Sequence, residues 1–332
     1  EDFIIVMKEC INGKIQIDEE VLISDLVDQF HRIDIHGTGK INFDMFSSFL
    51  IEQEIMAEMG NERALLYKPS ELADNSRHDN YIDKMFYYPA IDKLGVMEQN
   101  MRALKIYNPS TLKLENSLFV KNGIAIASEY IPEYEKLILT SSDKSMLVFD
   151  LGSFALEKRI VTPESQHTMH WSHSHQVLFS AGMDGKIYGW LIQKLLNYKE
   201  QEVPYPEVLA KGMPWSERTE CIFYIVELTG MEQIAAASAD QKIRLWDIRW
   251  EGNKKPKKVL CGHTKAVRYL AYSQRYNLLV SCGFEFDALV WNPYVSIPIC
   301  QLKGHEAPLC GIECPEANPT IITADSKGIV KV

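Results

Sequence analysis

The stretch HTMHWSHSH places four histidines, His167, His170, His173 and His175, within nine residues. That density of imidazole nitrogens could bind zinc. Aligning Trp171 with Tyr272 of the similar stretch AYSQRYNLL puts His173 and His175 in an exposed turn, without a closed shell of four ligands. Cys310 and Cys314 stand near His305, but their spacing is not CxxC and they fall in a strand and its following turn. Such cysteines are by default small buried hydrophobes. IDIHGTGKINFDM, residues 33–45, has the outline of a calcium-binding loop. No nucleophile elbow, phosphate-cradling loop or metalloprotease helix accompanies these stretches, so an enzyme reading has no motif behind it.

The elements that would position these residues follow from composition and repetition. The chain has 332 residues, 46% hydrophobic and 24% charged, which suits a globular fold with room for more than one domain. No apolar run is long enough to span a bilayer, and no signal peptide is visible; the chain starts at Glu1, so a lost leader stays open. Seven scattered cysteines show no framework spacing, which favours reduced thiols in a cytosolic setting. Residues 1–70 hold fourteen acidic and six basic side chains and so carry −8 of the net −10. An acidic front and a near-neutral body suggest two parts, and neither is a basic surface for nucleic acid.

After residue 80 one block recurs: an apolar strand, a polar turn, then a strand ending in an aromatic. The anchors Tyr107, Phe149, Trp190, Trp246 and Trp291 are spaced by 42, 41, 56 and 45 residues. A period just above 40 with about four short strands per unit signals a β-propeller blade. The long spacing has a cause in the insertion between Leu191 and Trp215, rich in polar residues and Pro. Asp143, Asp184 and Asp240 each stand six residues before their aromatic, where a carboxylate can accept turn N–H groups. Single blades cannot bury both faces, so the unit must repeat.

The stretch SADQKIRLWD, Ser238 to Asp247, resembles a WD repeat, and Gly262-His263 and Gly304-His305 look like the Gly-His that opens such repeats. The resemblance covers residues 81–332. It implies a mainly β fold: a WD-repeat propeller with five full blades and a partial sixth, seven in a full ring, the rest supplied by further chain or by a partner. It also implies a His–Ser/Thr–Asp–Trp network inside blades, with structural roles for Ser238, Asp240, Trp246, His263, Ser281, Trp291 and His305. The set is broken in places: Arg218 stands near the His position of one blade, and Glu285 replaces Asp in another. No blade shows every member, so uneven blade stability is expected.

The front, residues 1–60, resembles an EF-hand module whose first hand is truncated, joined by a polar linker over 61–80. Residues 18–33 read as a helix and residues 42–59 as a second. Between them lies a twelve-residue loop, 34–45. In such a loop positions 1, 3, 5, 7, 9 and 12 face the ion and position 6 is Gly. Here these are Asp34, His36, Thr38, Lys40, Asn42 and Met45, with Gly39 at the turn. Met45 is decisive, because a thioether replaces the bidentate carboxylate a hard cation needs. No metal or other cofactor is therefore expected; if the loop binds, calcium would sit among Asp34, His36, Thr38, Lys40 and Asn42.

The resulting expectation is a non-enzymatic protein-interaction scaffold, cytoplasmic and of the cytoskeletal or ciliary kind to which several EF-hand–WD proteins belong. Its partners would be other proteins or peptides, without nucleic acid or membrane insertion. Trp215 and Trp250, near loops, read equally as partner anchors or as covers of their own blade edges. The alternatives are a calcium-responsive adaptor and, last, an enzyme with a convergent acid/base cluster in the propeller channel.

Overall fold

β-branched and aromatic residues in short runs, each closed by a polar turn, favour pleated strands with two buried faces. The structure, a computed structural model, describes residues 26–27, 30, 33, 40–41, 45–47, 49, 80–216, 220–249, 255–315 and 318–332. The chain divides into two units, Glu1–Ala64 and Leu65–Val332. In the first, the described residues 26, 27, 30, 33, 45–47 and 49 are helical, and Leu26 and Ile33 are buried. Lys40 is exposed and non-helical. Asp34, His36, Thr38 and Asn42 lie outside the described residues.

The second unit is a β-propeller of six antiparallel blades with short connections. The first contains Ile82–Tyr88, Lys93–Glu98, Ala103–Tyr107 and Leu114–Phe119. The second contains Ala125–Ile131, Lys136–Ser141, Ser145–Asp150 and Leu156–Val161. The third contains Gln166–Ser172, Val177–Gly182, Lys186–Trp190 and Trp215–Ser216. The fourth contains Ile222–Leu228, Gln233–Ser238, Lys242–Asp247 and Lys258–Cys261. The fifth contains Val267–Ser273, Leu278–Gly283, Ala288–Trp291 and Pro298–Leu302. The sixth has three strands, Leu309–Glu313, Ile322–Asp325 and Val330–Lys331. The described residues thus supply six blades of the seven the resemblance suggested.

The five aromatic anchors occupy one site in successive blades. Each pairs with the second residue of its blade's second strand: Tyr107 with Leu94, Phe149 with Leu137, Trp190 with Leu178, Trp246 with Ile234 and Trp291 with Leu279. Apolar cores fill the seams between neighbouring blades. Leu104 and Ile106 meet Leu137 and Leu139 across the first seam, and Leu245 and Leu260 meet Leu270 and Leu279 across the fourth. Each such fully buried side chain stabilises the stack by ~1.5–3 kcal/mol.

The insertion after Leu191 is more ordered than a polar loop. It forms two short helices, Ile192–Leu196 and Tyr205–Val208, with Ile192, Leu195 and Val208 buried. Between them Glu202–Pro204 pairs in parallel with the outer strand of the second blade, matching Glu202 to Arg159 and Val203 to Ile160. An insertion of the third blade thereby covers the open edge of the second, which would otherwise expose unpaired N–H and C=O groups. The apolar residues Ile192, Leu195, Val203 and Val208, spaced through the polar sequence, enter the core between these two blades.

Candidate functional site: the channel mouth

Every blade carries a β-bulge at the second residue of its first strand. Pairing slips there at Asp83, Ile126, His167, Phe223, Arg268 and Cys310. A bulge leaves its extra residue out of the ladder and re-aims the side chain. Glycine makes the tight entry possible in two blades. A Cβ on Gly182 would stand 2.0 Å from the Ser165 carbonyl oxygen, and one on Gly283 would stand 2.1 Å from that of Ala266.

The bulges lie at the same end of their blades, and contacts link several of them across the ring. Lys84 of the first blade donates to the His167 carbonyl of the third at 2.7 Å. Asp83 lies 3.8 Å from Arg268 of the fifth. Phe223 of the fourth packs edge-on against Phe284 of the fifth, with centroids 6.5 Å apart. The Arg268 guanidinium covers Tyr269 at 5.3 Å and Phe284 at 6.0 Å, and the Lys265 ammonium stands 5.7 Å above Phe286. Met183, Phe284 and Phe286, on turns at this end, are 55%, 43% and 46% exposed. Exposed large apolar side chains gathered around cations are the ordinary chemistry of a docking site.

Burial pushes the Lys84 ammonium down to about 8, partly offset by Asp83, and lowers His167 as well. The acidic turn residues at this end are bound inward. Asp184 accepts from Tyr188 at 2.6 Å, Asp240 takes both arms of Arg244, and Glu285 accepts from His263 and Thr264.

A second polar cluster lies toward the opposite ends of the first strands. Glu129 accepts the Trp171 N–H at 3.2 Å, and burial raises it above the usual carboxylate range. Burial also pushes Glu227 upward, but bonds from His170 and Ser172 outweigh it and hold the carboxyl low. His170 and His175 stand 3.6 and 3.7 Å from Glu227, and Ser174 donates to it at 3.3 Å. The histidines of the HTMHWSHSH stretch therefore divide between the two ends, with His167 at the mouth. Of the pair assigned to an exposed turn, His173 is exposed and His175 is half-buried. Among the described residues no three His, Cys, Asp or Glu side chains are grouped to hold a metal ion.

The blade network is uneven. In the fifth blade, His263 Nε2 lies 2.6 Å from Ser281 Oγ, Trp291 donates to that oxygen at 2.7 Å, and Glu285 lies 3.0 Å from His263 Nδ1. By residue type no blade carries every member, yet in this one the longer Glu285 side chain reaches the position of the absent Asp and completes the contacts. In the sixth blade His305 bridges Thr323 and Asp325, at 2.8 Å each. In the fourth, Ser238 Oγ turns to the carbonyls of Glu220 and Cys221, Asp240 goes to Arg244, and the buried Trp246 Nε1 has no partner.

Two assignments change with burial. Trp215 is 5% exposed, stacked between Phe179 and Trp246, so it fills a seam and is not a surface anchor. Cys314 is buried as expected, but Cys310 is exposed on its bulge. Trp250 lies outside the described residues. The bulged residues share no side-chain type, so no residue motif marks them. A spacing signal does exist: each stands fifteen residues before the last residue of its blade's second strand.

Comparison with known proteins fits this geometry. Residues 254–292 match the family described as "WD domain, G-beta repeat", a span running from the outer strand of the fourth blade through the third strand of the fifth. Over its whole length the chain is 25% identical to cilia- and flagella-associated protein 337 B of Tetrahymena thermophila, covering 30% of that protein. Half of the chain is 26% identical to protein HIR1 of Phaeosphaeria nodorum, covering 16% of it. A further match, 25% identical over 55% of the chain, is protein transport protein Sec31A of Danio rerio, of which 14% is covered. The chain thus spans less than a third of the length of these relatives. Among the described residues no helix is long and apolar enough to cross a membrane.

Proposed function

We propose that the chain is a non-enzymatic scaffold that holds a protein partner at the bulge-lined channel mouth, within a ciliary or flagellar assembly. The carrying observation is the set of cross-blade contacts among Asp83, Lys84, His167, Phe223 and Arg268, with Met183, Phe284 and Phe286 exposed on turns at the same end. Recognition favours such turns held by packed strands. The ciliary setting rests on similarity along the whole chain to a cilia- and flagella-associated protein.

The full-length protein, tagged and expressed in a ciliated cell, is expected to stay with the axoneme after detergent extraction. Phe284→Ser, on an exposed turn, should release it without lowering the melting temperature. Full retention of that variant removes the mouth from this reading.

A further inference from the structure

We propose that the partner segment taken by the mouth is an acidic peptide, with a carboxylate between Lys84 and Arg268 and a neighbouring apolar side chain on the Phe223–Phe284 shelf. This rests on the mouth being the recognition face.

The sign of the charge follows from which groups are already paired. The chain as a whole is at −10, yet Asp184, Asp240 and Glu285 at this end are bonded within their own blades, Glu164 and Glu306 pair with Lys144 and Lys327, and Asp83 is the acidic side chain that faces the mouth cations. The cations are less engaged. Lys84 is hydrogen-bonded to a neutral carbonyl, and Arg268 meets Asp83 only at 3.8 Å, at the edge of ion-pair range. Lys265 lies over an aromatic ring. A half-buried ammonium without a bonded carboxylate is incompletely solvated, and a ligand carboxylate placed there would compensate it. Asp83 stands near both Arg268 and Lys84 but makes no hydrogen bond to Lys84, whose bonded acceptor is the His167 carbonyl. The further titratable groups nearby are His167, Cys221, Tyr269, Cys282 and Cys310, with Asp184 and Asp325 acting on the cysteines.

The apolar half of the ligand follows from the shelf. Phe223 and Phe284 meet edge to face, which leaves an aromatic surface beside the guanidinium. An aromatic or branched side chain next to the carboxylate would cover it. Lys144 and Lys327 on the equivalent turns already pair with Glu164 and Glu306, and the cations left, Lys84, Arg268 and Lys265, are too few to follow a phosphate backbone, which argues for a peptide over nucleic acid.

The test uses the full chain and a fluorescein-labelled decapeptide carrying Asp and Glu around a central Phe-Leu pair. Controls are the same peptide with Lys at each acidic position, and a single-stranded RNA decamer. The acidic peptide is expected to bind, with affinity reduced at least fivefold by Lys84→Met and by Arg268→Met. Arg268→Lys should keep most of the binding, and Phe284→Ser should weaken it. Affinity should also fall between pH 7 and 9 as Lys84 loses its proton. Circular dichroism melts confirm that each variant is folded. Preference for the Lys peptide, equal binding of RNA, binding indifferent to both cation variants, or no binding at all overturns the acidic-peptide assignment. The mouth itself is judged separately, by axonemal retention of Phe284→Ser.

Discussion

Trp215 stacks on Trp246 with ring centroids 5.9 Å apart and planes 8° from parallel, although the two belong to neighbouring blades. Phe179 extends the stack on the other side of Trp215 at 6.0 Å. This sandwich fills the seam between the third and fourth blades. Truncating its middle member leaves a cavity that the two rigid sheets cannot close. Trp215→Ala is expected to cost about 3–5 kcal/mol, measured as a loss in urea midpoint. A loss under 1 kcal/mol would mean that the ring is not in the seam.

The indoles of the fourth and fifth blades should respond differently to the same change. Trp291 donates to Ser281, whereas the buried Trp246 N–H has no acceptor. Trp291→Phe removes a bond and leaves Ser281 short of a partner, whereas Trp246→Phe deletes a donor that was already unpaired. The first should be more destabilising by about 1–2 kcal/mol. Paired urea titrations decide this, and equal costs would contradict the bonding described.

Burial lowers His263, with Glu285 opposing, and lowers His167, with Lys84 adding to the effect. In both cases the folded protein holds the neutral ring more firmly than the unfolded chain does. Below the unfolded value of about 6.5 the unfolded state binds more protons, so stability falls with pH. Glu285 is depressed and adds its own loss further down, below the ordinary carboxylate range. The melting temperature is expected to fall from pH 7.5 to 5.5, and to fall less in His263→Gln. A steeper fall in that variant would reverse the assignment.

The segment Glu202–Pro204 should protect the rim of the second blade. Replacing residues 192–209 with a short Gly/Ser linker removes Ile192, Leu195, Val203 and Val208 from the core. Hydrogen exchange along residues 156–161 is expected to quicken by at least tenfold, while exchange in the fifth blade stays as it was. Uniform quickening would instead point to collapse of the whole stack.

Calcium should leave the front unit unmoved. On the EF-hand reading of residues 34–45, Met45 takes the twelfth loop position, and millimolar calcium and chelator are expected to give melting temperatures within about 1 °C, since the bidentate carboxylate is missing. The paired change Met45→Glu with His36→Asp should create a calcium-dependent shift. A shift in the unaltered chain would show that the loop binds after all.

Much of the propeller was readable in advance because it follows from local chemistry. Aromatic anchors at a near-constant period mark one position per blade, and Trp190, Trp246 and Trp291 occupy it. What stayed hidden depends on pairing between strands. A bulge belongs to a strand pair and not to a residue type, so Asp83, Ile126, His167, Phe223, Arg268 and Cys310 look unrelated. The burial of Trp215 was hidden for a similar reason, since its neighbours come from two other strands far along the chain. Glu285 was judged by type, yet its extra methylene reaches His263. The ordered insertion was masked by its polar composition: Ile192 and Leu195 keep helical spacing for a single turn only, and Val203 and Val208 are too far apart to extend it.

The repeated bulge separates two tasks that most surfaces must perform with the same atoms. Backbone irregularity presents the side chain, whatever its kind, while the neighbouring layer closes the interior. Six positions can therefore change identity one at a time, altering the molecule's preferences while its architecture stays intact. A lineage of such chains could pass from one client to another by rewriting a handful of letters.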